Sequence, residues 1–152
     1  MRLTAHFSLE EFTASDQATR HDIDNTLPAQ YANNALLTAQ MMERIRGFLS
    51  ERAGREVPIT VTSGYRCPEL NTVAGGSERS DHMRMMAVDF RAPGFGTPRD
   101  ICKALAPAVI ELQIGQLILE YGSWVHASIA IADKAVNRVI TRTANGYSMG
   151  IA

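Results

Sequence analysis

The chain has 152 residues, 45% of them apolar and 20% charged, with a formal net charge of −1. That length suits one domain, residues 1–152, which would bury roughly two-thirds of its unfolded surface. The balanced charge offers no electrostatic footprint for nucleic acid or an anionic membrane surface, and no apolar run reaches the roughly 18 residues of a spanning helix. The opening MRLTAHFSLEEF has no apolar stretch behind its basic residue. No secretory leader is therefore expected, and the chain is placed in the cytoplasm. Cys67 and Cys102 are too few and too far apart for a disulfide framework or a CxxC zinc site. They read as free, partly buried thiols, with a bridge left open because sequence gives no Cα separation.

In chain order, residues 7–13 (FSLEEFT) spell a short helix. Ser8 caps it, Glu11 completes a capping box, and Phe7 and Phe12 form a hydrophobic staple. Residues 14–27 are polar and turn-rich, so an irregular surface connection is expected, with His21 solvated. The longest helix runs from Pro28 to about Ala53, with Leu37, Met41, Ile45, Phe48 and Leu49 as its apolar stripe and Gly54 closing it. Val57–Thr62 alternates with β-branched residues and reads as a strand. It runs into Ser63-Gly64-Tyr65-Arg66-Cys67-Pro68, where a glycine and a proline hold Tyr65 and Arg66 in a fixed turn. A short helix over 68–74 ends at Gly75-Gly76-Ser77.

Thr97-Pro98-Arg99-Asp100 opens a further helix, interrupted near Pro107. Gly94 and Gly96 before it lack the context of a phosphate-binding loop. Strands over 116–121 and 124–131 form a hairpin around Gly122-Ser123. Residues 136–143 make the last strand, and the tail NGYSMGIA adds a turn. Helices mostly early and an antiparallel sheet mostly late describe an α+β protein. No oligomer seam is visible, so a monomer is expected.

The chemistry concentrates in Ser80–Phe90 (SDHMRMMAVDF), where a loop delivers His82 to a strand carrying Asp89 among apolar residues. A carboxylate there is costly to desolvate unless a cation or strong donors meet it. On the later strand Trp124, His126 and Ser128 share one face. His82, Asp89 and His126 together have the composition of a catalytic zinc site with an open fourth position, suited to amide hydrolysis. There is no HEXXH motif.

The ordered string Ser63-Gly64-Tyr65-Arg66, Asn71, Val73-Ala74-Gly75-Gly76-Ser77, Ser80-Asp81-His82, Ala87-Val88-Asp89 and Trp124-Val125-His126 resembles the zinc D-Ala-D-Ala carboxypeptidase family. That family shares its fold with hedgehog amino-terminal domains and phage L-alanyl-D-glutamate endolysins, and the likeness spans about residues 55–130. The resemblance implies a small, mostly antiparallel sheet with helices packed on one side. It also implies zinc held by His82, Asp89 and His126, and a peptidoglycan peptide as substrate. Arg66 would hold a substrate carboxylate or the developing oxyanion, and Ser80 would support the loop or bind substrate.

Two positions depart from the family pattern. Met85 stands where relatives carry a glycine that permits close approach or an unusual φ. Ser123 stands where many relatives carry the general-base glutamate of an ExxH pattern. The nearest acid on that strand pair is Glu120, with Asp81 a weaker candidate. A two-residue hairpin loop turns Glu120 away from His126, whereas a three-residue loop pairs it with Trp124 on the His126 face. Two functions follow: a zinc peptidase of wall stem peptides, resembling a phage lysis enzyme, or a non-catalytic member that binds wall peptide or protein.

Overall fold

Cap chemistry sets the first helix. In the computed structural model, which describes residues 1–131 and 136–152, helix α1 spans Leu9–Thr13 behind a Ser8/Glu11 capping box. Phe7 and Phe12 close over it with ring centroids 6.2 Å apart. A second short helix, α2 (Asp16–Arg20), follows with Ser15 as its cap, so the connection expected to be irregular contains a helical turn and a half. Its Ser15 hydroxyl accepts from the Ala18 amide at 3.1 Å, which meets one otherwise orphaned donor.

After a 3₁₀ turn at Ala29–Tyr31, helix α3 runs from Ala32 to Ala53, and Gly54 closes it at φ 68°. Its buried stripe passes through Ala35, Thr38, Met41, Met42, Ile45 and Leu49. Leu37, expected in that stripe, is 42% exposed. The stripe is rotated toward the small residues Ala35 and Ala39, which let the helix lie close to the sheet. The remaining elements are β1 (Thr60–Ser63), α4 (Pro68–Val73), β2 (Ala87–Arg91), α5 (Pro98–Leu105), β3 (Ile114–Glu120), β4 (Trp124–Ile129), β5 (Arg138–Thr143) and β6 (Gly146–Met149). Short 3₁₀ turns lie at Asp81–Arg84 and, around Pro107, at Ala106–Ala108. The tail expected to be a turn forms the fully exposed strand β6 instead.

The six strands lie in the order β1-β2-β4-β3-β5-β6. Their pairings are antiparallel except β3 with β5, which is parallel. The expected mostly antiparallel sheet is therefore corrected to a mixed one. Both edges of β4 are occupied, by β2 and β3, so a chain turning back after β4 adds beyond β3. Running opposite to β4, it comes to lie parallel to β3.

Directly opposed residues share a face of the sheet. Val88, Phe90, Leu117, Leu119, Val125 and Ala127 belong to the buried cluster that also takes in Met41, Ile45 and Ile101. Helices α3 and α5 pack on that side, and Asp89, His126 and Glu120 point to the other. Neither cysteine is bonded. Cys102 is buried, and burial pushes its thiol up to about 12.

Met85 keeps the backbone that a glycine would adopt: φ 56°, ψ 39°, at the end of the Asp81–Arg84 turn. Its side chain is fully buried, and its carbonyl accepts from the Thr38 hydroxyl on α3 at 2.9 Å. A left-handed non-glycine residue costs about 1–2 kcal/mol, whereas losing a buried methionine side chain costs about 2–5 kcal/mol. Packing outweighs strain, so the methionine is tolerated. Met85→Ala, which keeps the strain and opens a cavity, is expected to lose more stability than Met85→Gly in urea denaturation, with both below wild type.

Candidate metal centre and catalytic cleft

The site begins with a glycine. A Cβ on Gly64 would lie 2.4 Å from the Phe12 carbonyl oxygen, so only glycine lets the Ser63–Arg66 turn press against α1. There the Tyr65 amide donates to that same oxygen at 2.6 Å. Asn25, buried in the polar segment after α2, clamps the turn from the other side. Its amide nitrogen donates to the Tyr65 carbonyl at 2.9 Å, and its oxygen accepts from the Cys67 amide at 2.8 Å. The Gly64 carbonyl oxygen is thereby aimed at His82, whose Nδ1 donates to it at 2.6 Å.

That bond fixes the tautomer. With the proton on Nδ1, neutral His82 turns the lone pair of Nε2 toward Asp89 Oδ1, 3.2 Å away. His126 Nδ1 meets the same oxygen at 2.9 Å, and the two imidazole centroids are 5.1 Å apart. A lone pair facing a carboxylate oxygen is unfavourable unless a cation stands between them. All three side chains are buried, and one ligand atom from each lies within 4.8 Å of the others, so His82, Asp89 and His126 could hold a metal ion. A carbonyl-oriented histidine is also the usual outer support of a metal ligand.

Charge follows the same geometry. Burial alone would raise the Asp89 carboxyl, but the His82 and His126 imidazoles beside it outweigh burial and hold Asp89 well below the usual range. Burial pushes His82 down despite Asp89. His126 moves up, because its bond to Asp89 overcomes the burial that would lower it.

Arg66 closes one wall. Its Nε donates to the Ser63 hydroxyl at 3.3 Å and its Nη1 to Asn71 Oδ1 at 3.2 Å, while Nη2 faces Asp89 Oδ2 at 3.6 Å. Asn71 in turn donates to the Ser77 carbonyl at 3.0 Å. A Cβ on Gly76 would strike Asn71 Oδ1 at 2.1 Å and Arg66 Nη1 at 2.7 Å. Gly76 is thus glycine because it lies directly on the arginine's support. Ser80 Oγ accepts from the His82 amide at 3.2 Å, capping the turn that carries the histidine.

The hairpin loop has three residues. Glu120 pairs with Trp124 across it, which places the carboxylate on the His126 face. Tyr121 and Gly122 make this turn at φ 53° and 64°. Glu120 is 8% exposed, and burial raises its carboxyl above the ordinary glutamate range against the pull of His126, Arg142 and Arg66. Arg66, Ser80, His82, Asp89, Glu120 and His126 all line one cleft of about 340 Å³. Asp81 lines it too, with Oδ1 3.5 Å from Arg84 Nη2.

A profile described as Peptidase M15 matches residues 5–128. The chain belongs to the Peptidase M15 family. A search of curated proteins returned no match. The M15 match runs from just before α1 to Ser128, taking in the three possible metal ligands, Arg66 and Glu120. Strands β5 and β6 lie beyond it. Two cleft residues from those strands, Arg142 and Tyr147, went unrecognised in the sequence, because their place depends on a parallel pairing that no local pattern encodes. Among the described residues, no helix is long and apolar enough to cross a membrane.

Proposed function

We propose that this M15 protein is a zinc peptidase that hydrolyses amide bonds in peptidoglycan stem peptides, at a D-Ala-D-Ala or L-Ala-D-Glu type of bond. The observation that carries this reading is the placement of Glu120: a buried carboxylate on the same face and in the same cleft as the three ligands. His82 and His126 with Asp89 would hold the metal, and their donor set suits zinc. When bound, zinc acidifies a coordinated water and polarises a carbonyl.

Glu120 accepts the proton of the attacking water and passes it to the leaving amine. Arg66, held in place by Ser63, Asn71 and Asp89, presents a cation toward the oxygen that becomes anionic. Ser80 and the Gly64 carbonyl keep His82 in position. Met85 keeps the left-handed backbone that glycine would supply, and Glu120 replaces the missing ExxH glutamate. These two features weigh against the non-catalytic alternative. A phage or prophage lysis role, with the protein waiting in the cytoplasm for access to the wall, fits the same chemistry.

Purified peptidoglycan digested with the zinc-loaded protein should release stem-peptide fragments detectable by mass spectrometry. Chelation should abolish release and zinc should restore it. An undigested wall in the presence of zinc would overturn the assignment.

A further inference from the structure

Arg142 stands next to Glu120 in the parallel β3–β5 ladder, on the face that carries the metal ligands. Its guanidinium lies over the rings of Tyr121 and Tyr147, at 5.3 and 5.0 Å from their centroids. Tyr147 is its directly opposed partner across β5–β6. The two tyrosines are 46% and 63% exposed, so neither is there to fill the core. Tyr121 also adopts a left-handed backbone at φ 53°, a strain that clusters at binding and active sites. Tyrosine faces on an arginine restrain the plane of the guanidinium and leave its edge N–H groups for a planar anion.

Those donors are not saturated by Glu120. Its Oε2 sits 3.8 Å from Nη1, longer than a hydrogen bond. Arg66, by contrast, is already engaged by Ser63, Asn71 and Asp89. We propose that Arg142, held against the rings of Tyr121 and Tyr147, binds a free carboxylate of the peptide substrate away from the scissile bond. It would make the enzyme selective for stem peptides bearing an unamidated side-chain or terminal carboxylate. The residue comes from the hairpin beyond the M15 match, so it would be a specificity element added to the shared catalytic site. This inference rests on the peptidase reading.

The test uses the zinc-loaded full chain and synthetic stem peptides in which each carboxylate is free or amidated in turn. Wild type should favour one free-acid peptide over its amide. Arg142→Ala should raise KM for that peptide about 10- to 100-fold, the effect of losing a hydrogen-bonded charge, with kcat little changed and the acid preference gone. Tyr147→Ala should shift KM the same way by less, and zinc content should stay unchanged in both. An equal loss on acid and amide peptides, or no change on either, would overturn the proposal. If wild type cleaves none of the peptides, the peptidase reading fails separately. Calorimetric binding of the same pairs then decides Arg142: tighter acid binding that vanishes in Arg142→Ala supports it, and equal binding overturns it.

Discussion

Glu120→Gln is expected to lower kcat on wall peptides by about 10²- to 10⁴-fold, the usual span for a positioned general base, while bound zinc stays at the wild-type level. Glutamine keeps the shape of the side chain but cannot take a proton. Wild-type kcat/KM should rise with pH as the carboxyl ionises, and the variant's residual rate should lack that limb. The metal-free protein gives an independent check. Burial raises the folded-state pKa of Glu120, so the ionised carboxylate opposes folding, and stability falls as pH rises through that raised value. Metal-free Glu120→Gln should therefore melt at or above the wild-type temperature at neutral pH. The gap should close below the ordinary glutamate pKa of about 4.3. Loss of both activity and stability would indicate a structural role instead.

Asp89→Ala should abolish activity too, but, unlike Glu120→Gln, it should weaken the metal-free fold. The carboxylate is 6% exposed and is the common partner of His82, His126 and Arg66. Removing it leaves two buried imidazoles and the partly buried Arg66 guanidinium without their carboxylate partner, which costs about 3–5 kcal/mol for a broken buried pair. The direction with pH is also set. Asp89 titrates below its unfolded value of about 3.9 because the His82 and His126 imidazoles beside it outweigh burial. Its contribution is present above that value and lost as pH falls. Urea denaturation of metal-free wild type should show stability dropping below about pH 4, with a shallower drop in Asp89→Ala.

The parts legible in the sequence are those encoded locally. The Ser8/Glu11 box, the Gly54 stop and the Thr97-Pro98 start each carry their own hydrogen-bond chemistry, and each appears where expected. His82, Asp89 and His126 were legible as a set because motif order identifies them, and the structure brings them together. The face that Glu120 takes is not legible, because loop length depends on Tyr121 and a tyrosine gives no signal of a left-handed backbone. Met85 hid its φ for the same reason. Helix α2 buries only Ala18 and strand β6 buries nothing, so neither leaves an apolar period to read. Arg142 reaches the cleft through the parallel β3–β5 register, which is decided by which sheet edge remains open.

The most direct test is a calorimetric zinc titration at neutral pH of wild type and of the His82→Ala/His126→Ala double variant, each shown to be folded by circular dichroism. Wild type should bind one zinc per chain and the double variant none. Equal zinc binding by the two proteins would contradict the assignment of His82, Asp89 and His126 as the metal centre.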